Sequence, residues 1–260
     1  MTRFVIAALC LLLTSSVQAG FPFDPDGAGA KPTFQVGAID FVVGNSLSKG
    51  VMAGEQWTLY YQASVGSLAD EQGSPIPNDG PAGTGLNVDH EITVVLGISV
   101  RTTAAAPFLN FALQPGGTNF IRIYHDTKVN ANPLEGTGYD DGTLILESHA
   151  TDSLEGASMV FGRPVNLDSF GGSNQWPGVR SLSSVGALQA SSVVSSFNRS
   201  FFLVNNISRI NINSSQAAPY RQTKPSKRFL DVVPAVGSVN LQSGPDVLIQ
   251  ADANASFVVE

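Results

Sequence analysis

The chain has 260 residues, 43% of them hydrophobic and only 13% charged, with 26 Gly, 15 Pro and 15 Phe. Helices of soluble proteins are faced with Glu, Lys and Arg, and a charged fraction about half the usual ~25% excludes a helical bundle or coiled coil. The formal charge of -7 excludes a nucleic-acid partner, whose phosphates need Lys and Arg, and makes an anionic membrane surface an equally poor one.

The segment 1–19 reads as a secretory signal peptide: Arg3 gives the positive start, Val5 to Leu13 the apolar run, and Val17-Gln18-Ala19 the small-residue cleavage site. A single secreted domain is expected from Gly20 to Glu260. Cys10 is the one cysteine and falls inside the signal, so disulfides, thiolate catalysis and Cys metal sites drop out of the exported chain. No later run is apolar enough to predict a transmembrane segment.

Short alternating or apolar runs bounded by Gly, Pro, Asn, Asp and Ser then predict strands. In chain order they are Phe34 to Val43, Glu55 to Val65, His90 to Val100, Phe108 to Leu113, Phe120 to His125, Thr143 to Glu147, Ser200 to Val204 and Val247 to Ala251. Arg122 between Ile121 and Ile123 marks a strand with one wet face. The expected fold is all-β, an antiparallel β-sandwich or jelly roll of about ten strands. Ser67 to Asn87 and the Ser- and Gly-rich Ser169 to Gln189 are expected to be long surface loops. Arg221, Lys224, Lys227 and Arg228 form the basic cluster of the chain, read as a solvated turn.

Three groups of oxygen donors are candidate ligands for Ca²⁺, which takes six to eight oxygens from flexible loops. Asp24 and Asp26 precede Gly27; Asp126, Asn130, Asn132, Asp140 and Asp141 fall between two strong strands; Asp252 and Asn254 follow the last predicted strand. Asx and Gly residues set turn geometry without any metal, and both readings stay open at this point.

Catalytic motifs are missing: there is no Gly-x-Ser-x-Gly, and His90-Glu91 has no second His four positions on. His90, His125 and His149 are isolated in sequence and are read as surface residues of strands or turns rather than general bases. The chain is therefore not expected to be an enzyme. A secreted carbohydrate-active enzyme stands as the alternative, because a glycosidase needs only two suitably spaced carboxylates.

Several segments, in order along the chain, resemble the PepA-like, flocculation-associated PEP-CTERM proteins of Gram-negative, floc-forming bacteria. They are Phe23-Asp24-Pro25-Asp26-Gly27-Ala28-Gly29, Leu59-Tyr60-Tyr61-Gln62-Ala63-Ser64, Pro115-Gly116-Gly117-Thr118-Asn119-Phe120, Asn130-Ala131-Asn132 with Gly136-Thr137-Gly138, Asp141-Gly142-Thr143-Leu144-Ile145, Val236-Gly237-Ser238-Val239, and Gln250-Ala251-Asp252-Ala253-Asn254-Ala255-Ser256-Phe257. The resemblance implies an exported, non-catalytic protein of the exopolysaccharide or biofilm matrix, at the outer surface of a Gram-negative cell, that promotes flocculation or aggregation. It brings no catalytic residues. That family's sorting tail, a Pro-Glu-Pro followed by a membrane helix and a basic end, is not found after Ser256-Phe257-Val258-Val259-Glu260. Exopolysaccharide is the expected partner, bound with the help of Ca²⁺ on the acidic loops; Trp57, Trp176 and the tyrosines are candidates for ring stacking on pyranose faces, with burial of Trp57 in a strand core the favoured alternative. A self-assembling surface subunit is a further alternative.

Overall fold

The computed structural model describes residues 20–260 apart from 105–107 and 243, so the predicted signal segment lies outside the described residues. The strands are β1 (Phe21–Phe23), β2 (Phe34–Val36), β3 (Ala38–Phe41), β4 (Gly44–Lys49), β5 (Gln56–Ala69), β6 (Pro75–Ile76), β7 (Glu91–Ala104) and β8 (Phe108–Leu113). They continue as β9 (Asn119–Asp126), β10 (Thr143–Asn166), β11 (Arg180–Phe197), β12 (Ile207–Ala218), β13 (Arg228–Phe229), β14 (Val233–Pro234) and β15 (Val247–Val259). A 3-10 turn at Phe170–Gly172 is the one helical element among the described residues, and no helix there is long and apolar enough to cross a membrane.

The chain is all-β and antiparallel, as its composition predicts. The large sheet has 11 strands, and its pairing closes on itself. β5 pairs with β7, which pairs with β9 and then β8 along its length; both of these pair with β10. From β10 the pairing passes to β11, β12 and β15, and returns to β5 through β4 and β3, two short strands that share one place in the ring. Successive ring strands are joined to their neighbours, an up-and-down meander without jelly-roll crossings. The result is a sandwich whose two faces are joined by hydrogen bonds along both sides.

Alternation decides what lies inside. In β9, Ile121, Ile123 and His125 are buried while their neighbours are partly wet; in β15, Ala251, Ala253, Ala255 and Phe257 point in and Asp252 and Asn254 point out. Val94, Leu96 and Ile98 of β7 fill the same interior. Phe21 and Phe23 of β1 join it, with ring centroids 5.8 and 5.0 Å from Phe202, and Phe257 lies 5.2 Å from Phe21. Each such ring contributes about 1.5–3 kcal/mol through burial.

A second core lies on the opposite face of β4 and β15, where Leu47 and Leu248 meet Leu167, Trp176, Tyr220, Phe229 and Val239. The connections that cover it are fixed by buried polar groups. Tyr220 Oη donates to Ile249 O at 2.6 Å, Asn45 Oδ1 accepts from Ser226 N at 2.8 Å, and Gln62 Nε2 donates to Arg228 O at 3.0 Å.

The structure differs from the sequence reading in several places: Phe34 to Val43 is split into β2 and β3, the expected loop Ser67 to Asn87 holds the end of β5 and β6, and β10 runs on past Glu147 to Asn166. The segment Ser169 to Gln189 is not one long loop, since β11 starts at Arg180; β4 and β12 were not expected; and Ser200 to Val204 is turn and bridge, not strand. β4 and the Ser- and Ala-rich β11 lack the β-branched alternation that marks a half-buried strand, and β12 carries it only over Ile210-Asn211-Ile212-Asn213. Their ladders are held by neighbours on either side, β10 and β12 for β11.

Candidate functional site

The nine predicted oxygen donors fall into three places. Asp24 is largely committed to its own turn, accepting from Asp26 N at 3.3 Å, Gly27 N at 3.1 Å and Ala28 N at 3.0 Å, while Asp26 Oδ2 accepts from Ala30 N at 2.8 Å and Lys31 N at 3.1 Å. Burial and the Asp26 carboxyl raise the Asp24 pKa; burial acts the same way on Asp26, but hydrogen bonds from Asp24 and the Lys31 and Ala30 amides outweigh it and hold Asp26 below the usual range.

In the β9–β10 connection, Asp126 Oδ1 accepts from Lys128 N at 2.9 Å, and Asn132 Oδ1 accepts from Leu134 N and Glu135 N at 3.1 Å each. Asn130 Nδ2 donates to Asp141 Oδ2 at 3.2 Å. Burial, then Asp231 and Asp141, push Asp140 up. Glu91, not among the predicted oxygen donors, anchors this loop: it is 1% exposed and its Oε1 accepts from Asn130 N at 2.8 Å and Ala131 N at 2.9 Å. These contacts are the turn chemistry that competes with metal binding. Among the described residues no group of three or more His, Cys, Asp or Glu is placed to hold a metal ion.

Asp252 and Asn254 lie apart from both groups, on the outward face of β15, where the register sets them in a continuous trough. One transverse row of facing side chains runs Asp40, Asn254, Asn213, Gln189, Glu155 across β3, β15, β12, β11 and β10. The next row runs Asp252, Ser215, Ala187, Ala157, Asn110 across β15, β12, β11, β10 and β8. Two hollows of about 300 and 470 Å³ lie along these rows and share Ala187, Leu188 and Gln189. The alanines make a low floor and the amides and carboxylates of the first row a polar wall. Beyond the alanines a third row, Ala217, Val185 and Met159, forms an apolar lip, with Val185 46% and Met159 39% exposed. Asp40 and Asp252 are diagonal neighbours, a position that puts Cα atoms about 7–8 Å apart. Burial, then the Asp252 carboxylate, raise the pKa of Asp40.

The sequence reading found Asp252 and Asn254 but not Asp40, Asn213, Gln189 or Glu155. Each stands at an outward position of a different strand, and only the register brings them into line.

Trp57 is core, the reading its strand position favours, and Trp176, a candidate for stacking, is buried too. Trp57 and Trp176 are each 5% exposed, with Nε1 donating to Thr102 Oγ1 at 3.2 Å and to Pro225 O at 2.9 Å. Tyr61, Tyr139 and Tyr220 are buried as well. Of the basic cluster, Lys227 is paired with Glu135 at 2.6 Å.

His90 and His125, distant in sequence and expected at the surface, are instead 3% and 8% exposed, their rings tilted against each other with centroids 5.0 Å apart because alternation turns both into the interior, and Phe201 lies 4.8 Å from the His125 ring. The Nε2 atoms of both, and Asp26 Oδ1, are buried without a hydrogen-bond partner among the described residues. Burial, then the His125 ring, depress the pKa of His90 to about 4; burial also lowers that of His125.

No family model, curated protein or solved structure matches the chain.

Proposed function

We propose that the chain is an exported, non-catalytic component of an exopolysaccharide matrix that promotes flocculation or cell aggregation, and that it holds polysaccharide along the trough across β3, β15, β12, β11 and β10. The observation that carries this reading is the two-sided chemistry of the trough. Sugars offer hydroxyls at the ring edge and C–H groups on the ring face. A wall of Asn254, Asn213 and Gln189 opposite a lip of Val185 and Met159 meets both, and a few polar groups set in an apolar surround are what orient a ligand. The signal-like start of the chain and its ordered resemblance to flocculation-associated proteins support the same reading. With the tryptophans buried, recognition runs through hydrogen bonds and aliphatic contact. The predicted calcium donors lie in three places, so binding along the trough is proposed through side chains, with calcium assistance a separate arm of the test.

One observation favours a second reading. Asp40 and Asp252 share the trough at a diagonal spacing compatible with the roughly 5–9.5 Å between the carboxyls of glycosidases. Incubating the producing strain's exopolysaccharide with the purified protein, with and without Ca²⁺, and measuring its size distribution separates the two. A rise in apparent mass is the expected result, and a further rise with Ca²⁺ would assign the ion a bridging role. A fall would mean depolymerisation, and an unchanged distribution would remove both readings.

A further inference from the structure

The charge of the trough narrows the class of polysaccharide, on the reading that the trough is where polysaccharide binds. Among the residues that line the two hollows the charged ones are Asp40, Asp252 and Glu155, all carboxylates. None of the three forms an ion pair with a described residue, whereas Asp152, on the neighbouring part of β10, is matched by Arg209 at 2.6 Å. We infer that the trough takes a polycationic polysaccharide, an amino-sugar polymer in which part of the amines are free and protonated and the rest acylated.

Three features of the site fit that chemistry. Asp40 and Asp252 are like charges at neighbouring positions, an unfavourable arrangement that a single ammonium group between them relieves. Glu155 stands at the other end of the same row, four strands away, about 19 Å at an interstrand spacing of about 4.8 Å, so a chain lying across the strands meets carboxylates at both ends. Between them Asn254, Asn213 and Gln189 present amides, which donate and accept and so pair with hydroxyl and acyl-amide groups alike. A uronic-acid polymer laid in the same place faces three carboxylates, which rejects it unless a cation intervenes. The overall charge of -7 acts in the same direction, drawing a polycation to the protein from a distance. Single exposed charge contacts are weak, and a polymer that repeats them gains by effective concentration.

The test measures binding of the purified protein to three soluble oligomers by titration calorimetry: a partly de-N-acetylated N-acetylglucosamine oligomer, its fully acetylated counterpart, and an alginate oligomer with and without Ca²⁺. The de-N-acetylated oligomer is expected to bind about tenfold tighter than the acetylated one or more, with affinity falling as salt rises. Asp40→Asn with Asp252→Asn is expected to remove that advantage, and Glu155→Gln part of it. Asp79→Asn with Glu55→Gln, the same charge change outside the trough, is expected to leave it intact. Asp40, Asp252 and Glu155 are exposed and the exchanges keep their shape, so melting temperatures should match the parent chain. Equal affinity for the two amino-sugar oligomers, or loss of preference in the outside variant, overturns the inference and leaves the polysaccharide reading standing. So does tighter binding of alginate in Ca²⁺. Failure to bind any oligomer, together with an unchanged exopolysaccharide size, overturns both.

Discussion

Gly156 shows how little room the interior leaves beneath the trough. Its register partners are Phe111 on β8 and Leu188 on β11, and a Cβ built on it would lie 2.2 Å from the Phe111 ring, which itself meets the Trp57 indole edge-on at 5.3 Å. Gly156→Ala therefore displaces Phe111 from Trp57. A loss of about 1–3 kcal/mol is expected from overpacking, read from the urea midpoint together with a change in tryptophan emission. A strand glycine often marks such a close approach. The burial of Trp57 was legible in the sequence, because a tryptophan amid alternating strand residues is usually core. The ring laid over Gly156 was not, since Phe111 and Gly156 meet only once β8 pairs with β10.

Among the elements, the turn after β1 rests against the His90–His125 pair, and its stability should follow their titration. The groups facing the pair are Asp26, Asp89 and Lys31 toward His90, and Asp26 and Asp126 toward His125. Both imidazoles are held below the ordinary value of about 6.5, so the folded state binds fewer protons than the unfolded one. The stability they contribute is fully present above about pH 6.5 and is lost as pH falls toward 4, where His90 protonates in the folded chain. Asp24 and Glu91, raised by burial, act with the opposite sign. His125→Phe keeps a ring against Phe201 and should flatten the fall of melting temperature between pH 6.5 and 4; an unchanged slope would mean that the pair does not drive it. In β11 the exposed Ala187 floors the trough. Ala187→Trp should abolish binding to exopolysaccharide in affinity electrophoresis while moving stability by no more than about 0.5 kcal/mol, the usual range for a surface change. Strong strands such as β7 and β9 were readable from their isoleucines and valines. β11 was not, because its serines and alanines carry no periodicity and are held in the sheet by β10 and β12.

For the whole molecule, ring closure removes the open edges that a sandwich of two separate sheets carries, and open edges are the usual template for strand-to-strand assembly. The protein alone should sediment as a monomer at every concentration tested, with larger species forming only when polysaccharide is added. Concentration-dependent growth without polysaccharide would favour a self-assembling surface subunit. The same closure makes the trough: following the facing residues from Asp40 through Glu155 to Ala112, Arg101 and Gln56 leads once around the ring and back to β5, far from Ser67, the residue paired with Asp40 on that strand. The strands are therefore strongly staggered, and the rows of side chains run obliquely across the molecule.

The amino-acid sequence by itself determined the all-β class, the inward and outward faces of its strongest strands, and the turns around Asp24 and Asn132, because each of these depends on residues near one another in the chain. Tertiary structure alone decided the ring, the second core over β4 and β15, the pairing of His90 with His125, and the alignment of Asp40, Asn254, Asn213, Gln189 and Glu155. Register between strands sets all of these, and register is fixed by which buried faces pack together, a long-range balance that no local pattern encodes.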